Sequence, residues 1–248
     1  MRYYHCEKYP IEFVLSENLD KCFASHNHVG HYVISVVMQG TAEVYLESRK
    51  LACHEGDVFI VPPYMVHSVC LKRNARLLSM CIGTAFVTET DFETAEGIIR
   101  ELLEGAAEQG IFGKEQKEIL LASLRTVCQS QNKGGNKWNA DIKLLADQIT
   151  SHPEYELPIE TLAAEIFVSK YYFIRKFKRS VGMTPHRFCI QNRIRKAQRL
   201  LGAEKAVGRV AVEMGFYDQS HFDKEFQKIV GISPSEYLTS KRTLPQSL

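Results

Sequence analysis

No run of about eighteen or more apolar residues occurs anywhere in the 248-residue chain, so no sequence segment is expected to span a membrane as a helix. The opening stretch Met1–Pro10 lacks the basic-then-apolar order of a secretory signal, and a soluble, cytoplasmic protein without a membrane partner is expected. Low-complexity tracts are absent. The seven cysteines (Cys6, Cys22, Cys53, Cys70, Cys81, Cys128, Cys189) contain no CxxC pair. Their odd number and scatter argue against a zinc ribbon or a disulfide framework, and predict reduced, mostly buried thiols. No phosphate-binding loop or nucleophile motif is present, so neither a cofactor nor an enzymatic activity is expected.

The most informative absence is of acid. Between Glu165 and Glu204 there is no Asp or Glu, against ten basic residues: Lys170, Arg175, Lys176, Lys178, Arg179, Arg187, Arg193, Arg195, Lys196 and Arg199. A solvated helix face normally mixes signs to gain pairs one turn apart, so a one-sign stretch of this length calls for an anionic partner. Nucleic acid is the first candidate, because phosphate neutralisation supplies most non-specific affinity. The formal net charge of +2 hides the asymmetry. Met1–Lys137 carries 14 basic and 17 acidic residues, whereas Trp138–Leu248 carries 17 basic and 12 acidic.

The chain changes period along its length. Tyr32–Met38, Ala42–Leu46 and Val58–Val61 are short runs rich in β-branched and aromatic residues, separated by turn signals at Gln39-Gly40, Glu55-Gly56-Asp57 and Pro62-Pro63. Such even spacing predicts a barrel or sandwich. From Asp91 the period is helical, with Ile98, Leu102 and Leu103, then Ile119, Leu120, Leu124 and Val127, on one stripe. That stripe suits packing on the barrel or pairing with a second subunit. The polar, Gly-containing Gln129–Lys137 is the best boundary. Beyond it helices are predicted near 139–151, 158–167, 170–181, 185–201, 207–214, 219–229 and 234–239. Ser169, Thr184-Pro185 and Ser233-Pro234 supply start signals.

The helical part repeats itself. Ala163 and Glu165 return as Ala211 and Glu213; Phe177, Gly182, Pro185 and Phe188 return as Phe226, Gly231, Pro234 and Tyr237. Each copy reads as a short helix, a tight turn, a longer helix and a Gly-x-x-Pro opening the next. This is what a helix-turn-helix needs, a small residue where two helices cross and a second helix held clear to enter a major groove.

The stretches SKYYFIRKFKRSVGMTPHRF…RIRKAQRLL and VAVEMGFYDQSHFDKEFQKIVGISPSEYL, within about Trp138–Lys241, resemble the AraC/XylS family of bacterial transcription regulators. Relative to the family pattern, Val210 stands for Ile, Lys224 for Arg and Gln227 for Lys. The resemblance implies double-stranded DNA as partner and assigns the reading positions. Phe173 and Phe177 face inward in the first long helix, leaving Lys170, Tyr171, Ile174, Arg175 and Lys178 for DNA. Phe222 and Phe226 face inward in the second, leaving Gln219, Ser220, His221 and Lys224. Arg175 suits guanine, Lys224 guanine or a phosphate, Gln219 adenine, and Ile174 a thymine methyl.

The β-rich half, with His26-Asn27-His28, Tyr32, Gly40, Gly56-Asp57 and Pro62-x4-His67, is similar to the cupin barrel that precedes the DNA-binding half in many members. By that resemblance His26, His28, Tyr32 and His67 point into a barrel holding a small-molecule effector. The carboxylate of metal-using cupins is missing, its positions being Tyr32 and Val33. Three imidazoles still make an open metal site conceivable, and a purely structural role is the third reading. The resemblance further implies a homodimer formed through the helices of 91–129, and contact with RNA polymerase. The expected fold is thus α+β and multidomain: a cupin-like β-barrel with two helices for effector binding and dimerisation (1–128), a linker (129–137), and an all-α domain of two helix-turn-helix units (138–248). The competing function is a metal-binding cupin sensor, or a dioxygenase or isomerase, fused to a DNA-binding module.

Overall fold

A computed structural model describes residues 1–46, 49–130, 139–155, 158–201 and 206–243; most of the expected linker, 131–137, lies outside them. The chain divides into two units, Met1–Gly135 with Ser240–Leu248, and Asn136–Thr239. No helix of the described residues is long and apolar enough to cross a membrane.

The first unit opens with β1 (Arg2–His5), β2 (Ile11–Glu17), β3 (Lys21–Cys22), β4 (His31–Gln39), β5 (Thr41–Leu46), β6 (Arg49–His54), β7 (Val58–Val61), β8 (His67–Leu71) and β9 (Arg76–Gly83). Then follow α1 (Thr84–Glu89), α2 (Phe92–Glu108) and α3 (Lys114–Ser130). A last strand, β10 (Lys241–Thr243), arrives from the far end of the chain. Two sheets result, ordered β10-β1-β2-β9-β4-β7 and β3-β8-β5-β6. Pairing is antiparallel throughout except for β10, which runs parallel to β1 with Tyr3 opposite Lys241. That return to the barrel is not signalled in the sequence.

The larger sheet is buried on both faces. Val33, Val37, Phe59, Val61 and Leu77 meet Ala42, Val44, Cys53, Val69 and Leu71 of the smaller sheet to form the barrel core. Phe13, Leu15, Ile34, Val36, Leu78, Met80 and Ile82 point the other way, onto Ile99, Leu102, Leu103, Leu120, Leu121, Leu124 and Val127 of α2 and α3. A strand buried on both faces loses its polar alternation, which is why β4 reads as the near-continuous run YVISVVM. The helical stripe therefore packs on its own barrel. Asp91 caps α2 by accepting from the Thr94 N–H at 2.9 Å.

The second unit comprises α4 (Ala140–Ser151), α5 (Ile159–Glu165), α6 (Lys170–Val181), α7 (Pro185–Leu201), α8 (Val207–Glu213), α9 (Gln219–Val230) and α10 (Pro234–Ser240). Both long helices of the repeat run twelve residues. Each has an oxygen cap, with Ser169 accepting from Tyr172 N–H at 3.3 Å and Asp218 accepting from His221 N–H at 2.7 Å. Each ends on a left-handed glycine, Gly182 or Gly231. Two aromatic clusters fill the repeat. Phe173, Phe177 and Phe188 form one, with centroids 5.6 and 5.5 Å apart; Phe216, Phe222, Phe226 and Tyr237 form the other at 5.2–5.6 Å. Ser233 and Glu236 close a reciprocal capping box on α10.

Candidate functional site

The phenylalanines at i and i+4 turn one face of each long helix inward, and so decide what the other face shows. On α6 the exposed stripe holds Tyr171, Arg175 and Lys178, with Ile174 half-buried among them. These positions lie three or four apart and share one side. On α9 Gln219, Ser220, His221 and Lys224 are exposed. The His221 ring rests edge-on against Phe216 at 5.3 Å, which limits its swing. The Gln219 Oε1 sits so close to α8 that a Cβ added at Gly208 would meet it at 3.1 Å.

The acid-free stretch is acid-free only in sequence. Glu160 pairs with Lys170 across the α5–α6 turn and holds that ammonium above the usual lysine range, chiefly through their hydrogen bond. Asp141 of α4 reaches Lys176 at 3.2 Å, and Glu154 reaches Lys196 at 2.7 Å. Arg193 is a fastener, its guanidinium donating to the carbonyls of Pro153 (2.7 Å), Gly215 (3.0 Å) and Tyr155 (3.4 Å). Among the described residues Arg175, Lys178, Arg179 and Lys224 enter no ion pair. Arg195 and Arg199 of α7 are likewise outside the ion pairs, so among the described residues of this unit the unpaired positive charge gathers on α6 and α7, with Lys224 the contribution of α9.

In the barrel His26, His28 and His67 come together, with centroids 5.1, 4.3 and 5.0 Å apart. One ring nitrogen from each lies within 4.8 Å of the others. His67 opens β8 on its inward face, in line with Val69 and Leu71. His26 is joined to it by a β-bridge with bonds of 2.9 and 2.8 Å. Asn27, between the two histidines, was not singled out from the sequence. It is fully buried, and its side-chain amide donates to the Tyr64 carbonyl at 3.4 Å. Tyr64 itself donates its N–H to His28 O at 2.8 Å and is held at φ 65°, a left-handed conformation that persists only where surroundings enforce it. The Pro62-Pro63 turn before it was the available signal.

Tyr32 does not join this group. Side chains alternate along a strand, and with Val33 facing the barrel core Tyr32 faces the helices, packed with the other cluster. Burial there, then the nearby Cys128 sulfur, push its phenol above the usual range. The expectation that all cysteines are free is also corrected. Cys22 and Cys70 face each other across the β3–β8 pair and are joined by a disulfide. Pairing across strands 48 residues apart in sequence carries no local signature.

A barrel unit and a helical unit with paired helix-turn-helix elements, in one chain, define a sensor-type DNA-binding transcription regulator. Residues 14–83 match the AraC-like ligand binding domain and residues 162–240 the helix-turn-helix domain family. The chain belongs to the AraC-type transcription regulators. It is 24% identical to the probable transcriptional regulator LumQ of Photobacterium leiognathi, over 89% of this chain and 94% of that protein. It is 33% identical to the transcriptional regulator MtrA of Neisseria gonorrhoeae, over 38% of this chain and 31% of that one. The fold is that of ToxT from Vibrio cholerae O395, with a TM-score of 0.62 at 13% identity over 93% of this chain and 98% of that one.

Proposed function

We propose that the protein adjusts occupancy of specific promoter DNA in response to a small organic effector held in the barrel. The observation that carries this is the two-part arrangement itself. Cation-bearing reading faces are displayed on α6 and α9, and a buried polar cluster lies in a barrel lined mainly by apolar side chains. The DNA contacts fall to Lys170, Tyr171, Ile174, Arg175 and Lys178 in the first reading helix, and to Gln219, Ser220, His221 and Lys224 in the second. The effector site comprises His26, His28 and His67, without Tyr32. ToxT, a neighbour in fold, has been solved with an unsaturated fatty acid bound, which supports a barrel of this kind accepting a small organic molecule. The effector acts only in so far as it binds two states of the chain with different affinity. The reading places the protein in the cytoplasm as a non-enzymatic regulator, working as a homodimer in contact with RNA polymerase.

Selection of duplexes from a random DNA pool with the full chain should enrich one sequence. Replacing Arg175 by Ala should then weaken binding to that duplex by about 1–3 kcal/mol, the worth of one bidentate base contact. No enrichment, or an unchanged affinity in the variant, would refute the assignment. A thermal-shift screen of metabolites against the full chain tests the effector, because a ligand that binds only the folded state raises its midpoint.

A further inference from the structure

We propose that Ser35 and Ser79 anchor the effector, their joined hydroxyls donating one hydrogen bond to an acceptor oxygen of a small, uncharged, mainly apolar molecule. The inference rests on the barrel being the effector site, and it names the class of ligand.

The two serines lie within β4 and β9, directly opposite one another in the register. Val33 and Val37 flank Ser35, and Leu77 and Cys81 flank Ser79, on the barrel side. Strand alternation therefore turns both hydroxyls into the barrel. Their oxygens lie 2.8 Å apart, and Ser35 is 2% exposed. Each hydroxyl carries one proton. One proton makes the bond between them, whichever oxygen donates it. The second has no acceptor among the described residues, although buried donors are as a rule satisfied. A water molecule answers that proton poorly, since it needs roughly two to four polar partners to be held. Phe59 stands beside Ser35 across β7, and Val14 stands beside Ser79 across β2, so the surroundings of the pair on that face are apolar.

The barrel side of these strands also leaves room. Towards the helices Phe13, Leu15, Leu78, Met80 and Ile82 are sealed. Towards the barrel Val14, Ser79 and Cys81, on the same two strands, are only half-buried, so a recess opens beside the hydroxyl pair. Its charge sets the class of ligand. The positions of β2, β4, β7 and β9 turned to the barrel include no Lys or Arg, and Glu12 adds a carboxylate. An anionic ligand would find no counter-charge on these strands and would lose its hydration. An oxygen acceptor on a neutral body suits an apolar recess with one placed polar group.

The test uses the full chain and three probes of similar size: cyclohexanone, methylenecyclohexane, in which carbon replaces the oxygen, and cyclohexanecarboxylate. Ligand-observed nuclear magnetic resonance gives the affinities, and the carbonyl-carbon shift of isotopically labelled cyclohexanone reports its hydrogen bond. Cyclohexanone should bind with that resonance moved downfield, and more tightly than cyclohexanecarboxylate. Either serine alone can still donate its own proton, so the informative variant removes both. Ser35→Ala/Ser79→Ala should lose the downfield shift and about 2–10-fold in cyclohexanone affinity, the worth of one neutral hydrogen bond. It should bind methylenecyclohexane no more weakly. Its Tm should be unchanged or higher, because both polar partners leave together; a merely structural pair would lower the Tm and treat the two probes alike. Val14→Phe, checked for native circular dichroism, fills the recess without touching either hydroxyl and should exclude cyclohexanone and methylenecyclohexane together. An unshifted carbonyl, an equal loss for both probes in Ser35→Ala/Ser79→Ala, cyclohexanone binding that survives Val14→Phe, or tighter binding of cyclohexanecarboxylate overturns the proposal. Each of these leaves the barrel able to hold an effector through other groups. Absence of binding by all three probes overturns it as well, and the effector reading then falls with it only if no metabolite raises the Tm of the full chain.

Discussion

Phe167 and Gly215 occupy the same place in the two turns of the repeat, and exchanging their chemistry should move stability in opposite directions. Each donates its N–H at 3.0 Å to a carbonyl three residues back, Ala164 and Val212 respectively. Each is left-handed, at φ 56° and 68°. A side chain with a Cβ is disfavoured there by about 1–2 kcal/mol. The Phe167 ring is 96% exposed, so removing it forfeits little packing. Glycine returns about 0.5–1 kcal/mol of chain entropy to the unfolded state. Phe167→Gly should therefore stabilise by roughly 0.5–1 kcal/mol, or about 2–8 °C in Tm for a unit of this size. At Gly215 the balance reverses. An added Cβ would stand 2.9 Å from the Glu154 carbonyl oxygen, which is backbone and cannot swing away. Backbone strain and this contact together should make Gly215→Ala destabilising by about 2 kcal/mol or more. Thermal unfolding of the full chain followed by far-ultraviolet circular dichroism reads both. A lower Tm for Phe167→Gly, or an unmoved one for Gly215→Ala, would refute the reasoning.

Arg193→Ala should lower the same Tm by about 2 kcal/mol in stability, because its charge-assisted bonds to three carbonyls are lost together; unaltered unfolding would show that the clamp contributes nothing. Replacing Cys22 and Cys70 by Ser releases a loop spanning 48 residues, which in the chain-entropy account removes about 4 kcal/mol. Urea unfolding with and without reductant checks this, and coincident curves would argue against the bond. Burial pushes the Cys189 thiol up to about 11, against a smaller opposing pull from Arg193. Its alkylation by iodoacetamide at about pH 8 should then run on the order of a hundred-fold slower than that of a free thiol. Peptide mapping that finds it labelled at an ordinary rate would contradict the burial.

The helical half was legible because its signals are short-range. The α6 and α7 boundaries follow from Ser169, Gly182 and Thr184-Pro185, all within a turn of the ends they specify. The inward pairs Phe173–Phe177 and Phe222–Phe226 follow from the helical period alone. The barrel was legible only in part. β2 and β9 lie outside the strands expected from the sequence, and their partners stand 59 (Glu17 with Arg76) to 71 (Ile11 with Ile82) residues apart.

By itself, then, the sequence determined the repeat, the caps, the buried aromatic faces and the gathering of basic residues on α6 and α7. These depend on neighbours a few residues away, whose geometry the backbone dictates. Tertiary structure decided which of those cations are engaged, since Glu160, Asp141 and Glu154 approach from other elements. It also turned Tyr32 away from the histidines, because a strand buried on both faces bears no mark of which face is the barrel. The joining of Cys22 to Cys70, the convergence of His26, His28 and His67, and the return of β10 to β1 have the same origin. Each is a meeting of segments distant in sequence, settled by how two sheets close and not by any residue's local preference.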